Sequence, residues 1–173
     1  MSVNAVPEKV VNFNIYDEGE KLVGISGEVK LPKLEGKGET ISGAGIAGEF
    51  ESQTPGHFGN IDIEIPFQTV LDKSFSLMAP GGKTLILRGS QQSYDVSSGT
   101  INYVPLKITL KVVPKGLDLG TLGVGKKTDT KNTLTVLYIK VDVDGETMLE
   151  LDKLNFIYKV NGTDVFKTIR QQI

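Results

Sequence analysis

Residues 22–50, LVGISGEVKLPKLEGKGETISGAGIAGEF, carry strand-like patterning at both ends and a middle too long for a hairpin turn. Val23, Ile25 and Val29 alternate with Ser26, Glu28 and Lys30, so residues 22–30 read as a half-buried strand. Pro32 cannot donate to a ladder and ends it. Residues 33–44 then carry Gly36, Gly38, Gly43 and scattered charge without sustained alternation. An unstructured connection of that length in a compact domain is uncommon and tends to be functional. The expectation is an extended loop over 31–44, laid against another subunit, with a short strand at 45–50 beyond it.

Gly43-Ala44-Gly45-Ile46-Ala47-Gly48 matches GxGxxG to the letter. That fingerprint holds a pyrophosphate only where its glycines bring the ligand to the N-terminus of a following helix. Here EFESQTPGHFG follows, with no apolar helical period and with Pro55 in its way. The glycines read instead as a close-packed turn.

Working outward, Val11, Phe13 and Ile15 alternate with Asn12 and Asn14, a strand over 10–16 that turns at Asp17-Glu18-Gly19-Glu20. After a turn at QTPGHFG, Ile61, Ile63 and Ile65 alternate with Asp62 and Glu64. Pro66 suits a first helical position, and Phe67, Val70, Leu71, Ser74, Leu77 and Met78 recur at helical spacing before Pro80-Gly81-Gly82. One short helix over 66–78 is therefore expected, enough to cover part of a sheet and too little for a βαβ series. Residues 83–90 and 101–113 read as strands, the second setting Val104, Leu106, Ile108, Leu110 and Val112 against Lys107, Thr109 and Lys111. Residues 114–132 form a second Gly- and Lys-bearing loop. Asp144-Gly145 and Asn161-Gly162 favour type I′ hairpins, so 133–143, 146–160 and 163–169 read as a three-stranded meander, its middle strand bent near Asp152.

The chain of 173 residues reads as one domain spanning 1–173, long enough to bury a core without staples. It has no cysteine, which removes disulfides and thiolate metal sites. The formal charge of -2, from 19 basic and 21 acidic residues, lacks the footprint of a tight nucleic-acid binder. No run approaches the roughly 18 apolar residues of a membrane span and the N-terminus lacks a signal-peptide pattern, so no membrane anchor is expected and the chain reads as cytosolic when made.

No motif supports catalysis. Gly120 to Lys126 gives GxxxxGK, but Lys127 stands where a magnesium-binding hydroxyl belongs and a strand follows. Asp142, Asp144 and Gly145 resemble an EF-hand loop only until Lys140 and Leu151 occupy ligand positions. His57, the single histidine, lies in a polar loop and reads as solvated. Carboxylate pairs such as Asp62 with Glu64 read as a solvated sheet face rather than a glycosidase pair. What remains is a mainly β chain, an antiparallel barrel or sandwich with one short helix and uncovered edges that invite pairing. Closure of its sheets into a ring across subunits is one way to remove those edges. The rival reading is a monomeric β-sandwich binding a ligand such as carbohydrate, which wants aromatics gathered on one face. Tryptophan is absent and the tyrosines fall on separate segments.

VKLPKL at 29–34, SGAGIAGE at 42–49 and the ending DGETMLELDKLNFIYKVNGTDVFKTIRQQI from Asp144 together resemble the major tail tube protein of contractile-tailed phages. Tube subunits of R-type bacteriocins are a related possibility. The similarity spans most of the chain; residues before Val10 and the linker 115–131 depart from it. The resemblance implies a structural virion protein without enzymatic activity or cofactor, assembled in the host cytoplasm. It implies hexameric rings stacked into a tube within a contractile sheath, a conduit for DNA ejection, with sheath, baseplate and tail terminator proteins as partners. Leu31, Pro32, Lys33, Leu34, Glu35, Ile41, Gly43 and Gly45 would then form the intersubunit loop. A conduit should not grip phosphates, so Glu28, Glu49, Glu51, Asp62 and Glu64 are the candidate lumen-facing residues, with Lys107 and Lys111 expected to point elsewhere.

Overall fold

A computed structural model describes residues 5–173. In chain order its elements are β1 (Ala5–Asp17), β2 (Glu20–Lys21), β3 (Gly36–Ser42), β4 (Glu49–Phe58), β5 (Asp62–Phe67), α1 (Asp72–Ser76), β6 (Lys83–Asp95), β7 (Thr100–Asp118), β8 (Thr130–Val143), β9 (Glu146–Asp152), β10 (Ile157–Val160), β11 (Thr163–Asp164) and α2 (Lys167–Gln172). Three tight hairpins set local register. Glu18-Gly19, Asp144-Gly145 and Asn161-Gly162 all have positive φ at both central positions, between 47° and 92°. That geometry matches the right-handed twist of the flanking strands, and Asn, Asp and Gly tolerate it best.

Nine strands form one antiparallel sheet in the order β11-β10-β9-β8-β7-β6-β1-β2, with β5 beside β8. β8 pairs with β7 along one edge and divides the other, taking β5 from Thr130 to Thr135 and β9 from Tyr138 to Val143. Within one subunit the sheet stays open: β2 and β11 stand at opposite ends of the order. The expected barrel is therefore not closed by a single chain. β3 and β4 pair with each other in a separate two-stranded sheet.

The core lies on one face. Ile15, Leu85, Leu87, Ile108, Leu110, Val112, Leu134 and Val136 alternate inward from the sheet, and Ile61, Ile63, Ile65, Phe67 and Leu77 join them. Each such side chain contributes about 1.5–3 kcal/mol on full burial. Asn132 is wholly buried among them and donates from Nδ2 to the Ser74 carbonyl at 2.8 Å, fixing α1 against β8.

Several sequence expectations are corrected. Residues 22–30 form no strand; Gly24, at φ +85°, bends them into a strap that meets β5 at the single bridge Ile25–Phe67. Leu22 is buried as a strap residue should be, whereas Val23 is 71% exposed. Residues 33–44 are not an unstructured loop: they contain β3, and β4 runs straight through the expected turn at QTPGHFG. Pro55 is accommodated because the β3–β4 ladder shifts register between Gly36 and Gly38, leaving it unpaired. The helix shrinks to Asp72–Ser76, because the alternation of Ile61, Ile63 and Ile65 continues through Phe67, which is fully buried opposite Thr130.

β6 and β7 extend beyond their expected ends, so the connection expected over 114–132 narrows to residues 119–129. The meander breaks at Asp152, where its carboxylate accepts from the Leu154 and Asn155 amides, both at 3.0 Å, and from Asn155 Nδ2 at 2.7 Å. This Asx-type turn separates β9 from β10. The last expected strand is only Thr163–Asp164; Asp164 then accepts from the Phe166 amide at 3.1 Å and ion-pairs with Arg170, and α2 follows.

Asp152 gives a pH signature. Burial pushes its carboxyl up, but the Asn155 and Leu154 donors outweigh that and hold it below the ordinary carboxylate range. A depressed folded value means the charged form stabilises the fold above the ordinary range, and this contribution disappears as pH falls through the folded value. Asp152→Ala is expected to cost about 1–3 kcal/mol at neutral pH. Urea titrations at pH 7 and pH 3 check this: the wild-type excess over the variant should narrow at pH 3, and an excess independent of pH contradicts the assignment.

Candidate assembly surfaces

The β3–β4 hairpin projects as an arm. Residues 36–51 are all exposed. Ile41 faces Phe50 directly across the ladder, and both stay in water, at 40% and 52% exposure. The pairs Thr40–Glu51 and Ser42–Glu49 alternate with them and so occupy the reverse face. The GxGxxG stretch is the tip. Gly45 and Gly48 have φ of +87° and +109°, which explains glycine there, and no atom lies within 4 Å of where a Cβ would stand at Gly43, Gly45 or Gly48. Among the described residues, nothing beyond their chain neighbours packs closely on these glycines, in place of the expected close packing; they shape an open turn.

The arm's base is anchored. Phe156 stacks on Phe166 at 4.0 Å between centroids, Phe58 meets Tyr158 edge-on at 5.2 Å, and His57 stands edge-on to Phe156 and Phe166. His57 is exposed as expected, but its ring is held by these neighbours. The Gly59 amide donates to the Glu35 carbonyl at 3.0 Å, and Lys153 donates to the Gly59 carbonyl at 2.7 Å. Of the expected contact-loop residues, Ile41, Gly43 and Gly45 lie on the arm itself. Leu31, Pro32, Lys33, Leu34 and Glu35 belong to the strap leading into it, with Leu34 packed on the core and Lys33 paired with Glu35.

A second projection, residues 119–129, was legible only as a loop. Its neck is pinned: Thr121 donates to the Thr128 carbonyl at 2.9 Å, the Thr128 amide to Gln68 at 3.0 Å, and the Thr130 hydroxyl to Leu119 at 3.1 Å. Beyond the neck, Leu122 and Val124 are 89% and 105% exposed.

The outer face of the sheet is polar and continuous. Its cross-strand rows run Arg88–Lys107–Asp142–Thr147, then Thr109–Lys140–Glu150, then Lys111–Tyr138–Asp152. Several cations there have partners: Lys140 lies 3.4 Å from Asp142, Lys159 3.4 Å from Glu150, Lys111 5.1 Å from the Tyr138 ring centroid and Arg88 5.6 Å from that of Tyr16. Burial first, then a 3.0 Å bond to Glu150, push the Tyr138 hydroxyl up to about 12. Asp62 joins this face through Thr135 and pairs with Lys115; Glu64, two residues on, shares it. The five candidate lumen carboxylates thus do not share one surface. Glu49 and Glu51 sit on the arm and Glu28 on the strap, while Lys107 and Lys111 share the face of Asp62 and Glu64 rather than pointing elsewhere.

An edge-bearing sheet with two projections that hold aliphatic side chains in water defines a structural subunit suited to association. The chain belongs to the phage tail tube protein FII family, whose profile matches residues 7–173. It is similar to the tail tube protein of Escherichia phage P2, 27% identical over 177 residues, covering 98% of each chain. It is also similar to the major tail tube protein of Serratia phage KSP20, 26% identical over 162 residues, covering 94% of this chain and 92% of the relative.

The aromatic base of the arm yields a direct test. Gly56 has φ +77°, and a Cβ there would stand 2.4 Å from Phe166 Cζ. Gly56→Ala is expected to destabilise by about 1–3 kcal/mol, from left-handed backbone strain and displacement of the ring. Thermal denaturation checks it; an unchanged Tm would show that the arm's base is not locked to α2.

Proposed function

We propose that this chain is the inner-tube subunit of a contractile phage tail, closing six to a ring and stacking ring on ring into a conduit for DNA. The observation that carries the reading is the β3–β4 arm, exposed over residues 36–51 with Ile41 opposed to Phe50. An isolated hairpin is marginal in water, so this arm makes sense as a segment covered by a neighbour. In this reading the whole chain, 1–173, is one tube domain whose open sheet edges are satisfied between subunits. Ile41, Gly43 and Gly45 reach the next ring, and residues 31–35 hold the arm's base.

The polar sheet face is the surface best suited to line a lumen. Asp62 and Glu64 belong to it, and its Lys140, Lys159 and Lys111 stand against Asp142, Glu150 and the Tyr138 ring. Cations already matched in this way release few counterions on meeting phosphate, so DNA would slide rather than bind. Sheath, baseplate and terminator proteins would contact the outside of the virion tube after assembly in the host cytoplasm.

Negative-stain electron microscopy of the purified protein should show hollow tubes or six-fold rings. A monodisperse monomer at high concentration under all salt conditions contradicts the proposal. Replacing residues 43–48 and the distal arm by an Asn-Gly turn joining shortened strands should leave a folded protein that no longer stacks, and unaltered tube length would remove the arm from that role.

A further inference from the structure

The loop at 119–129 has no part in the core and none in the arm, yet its neck is built with care. At Gly120, φ +77°, a Cβ would lie 1.8 Å from the Thr128 carbonyl oxygen, so the two limbs cross closely enough to require glycine. A further hydrogen bond, Lys126 amide to Gly123 carbonyl at 3.1 Å, shapes the tip. The tip residues 122–127, LGVGKK, present two aliphatic side chains wholly to solvent beside two lysines and no acid. A pinned loop that holds Leu122 and Val124 in water keeps apolar surface available for a partner.

The complementary surface is the β3–β4 arm, which carries Glu39, Glu49 and Glu51 against the single Lys37. Glu39 lies on the same face as Ile41 and Phe50, while Glu49 and Glu51 flank Phe50 in sequence and face the reverse. We propose that the 119–129 loop of one copy receives the β3–β4 arm of another, Leu122 and Val124 covering Ile41 and Phe50 while Lys126 and Lys127 meet Glu39 on that same face. The inference rests on the tube reading for the existence of self-assembly, and assigns to it one specific contact. Because the two surfaces differ, the contact is heterologous and propagates from copy to copy instead of closing as a dimer.

Charge inversion tests this without touching the core. Lys126→Glu with Lys127→Glu gives a copy whose loop and arm contact face are both acidic; Glu39→Lys gives one whose loop and arm contact face are both basic. Each variant should keep the wild-type circular dichroism and Tm, since Glu39, Lys126 and Lys127 are all exposed. By sedimentation, each alone should lose assembly, and an equimolar mixture should recover it, because alternating copies restore both contacts. Assembly by either variant alone at the wild-type level, or a mixture that stays dispersed, overturns the loop–arm contact and leaves the tube reading standing. Failure of the wild-type chain itself to assemble overturns both. The absence of native cysteine permits a second readout: Phe50→Cys combined with Val124→Cys should give a ladder of oxidised oligomers, and dimers only would contradict propagation.

Discussion

Strand β8 is longer than either strand on its second edge, and the fold follows from how that edge is divided. β5 takes its first half and β9 its second, with β7 continuous along the opposite side. The β7–β8 ladder shifts register between Lys111 and Val112 and again between Pro114 and Gly116, alongside that division. The division draws Ile61, Ile63, Ile65 and Phe67 under the same core as Leu134 and Val136. Buried Asn132 then seats α1, and Asp152 ends β9 at the point where the shared edge runs out.

The same arrangement leaves the molecule with more strand than it can cover. Coverage is concentrated around β5 to β8, where nearly every inward residue is buried. Beyond that centre, the distal ends of β1, β6 and β7, the β3–β4 arm and the 119–129 loop keep Val6, Val11, Ile41, Phe50, Ile101, Tyr103, Leu122 and Val124 in water. Each costs free energy in a lone subunit that association can recover at roughly 25 cal/mol for each Å² of apolar surface removed from water. The buried centre and the exposed periphery thus draw on separate residues.

Local chemistry made some of this legible. Asp144-Gly145 and Asn161-Gly162 announced their hairpins because only a few residue types accept two successive positive φ values. Strict alternation announced β5, β6 and β7. What stayed hidden depended on partners distant in sequence. Residues 22–30 alternate much as a strand does, yet what bends them away from a ladder is Gly24, whose left-handed conformation no pattern reveals. Phe67 satisfies helical spacing with Val70 and Leu71, but pairing with Thr130 decided its state. β3 leaves no sequence signal because both of its faces are exposed, so the alternation that signals a half-buried strand is missing. Charge singles out carboxylates as lumen candidates but does not say which of them share a face. The aromatic lock around Gly56 and Phe166 left no periodic signal at all.

The central claim is that the arm and the 119–129 loop are completed by other copies of the chain. Hydrogen–deuterium exchange, comparing dispersed protein with assembled protein, tests it most directly. The claim predicts that amides in residues 36–51 and 119–129 exchange rapidly in dispersed subunits and become protected on assembly, while the β6–β7–β8 ladder is protected in both. Equal protection of the arm in both states would contradict it.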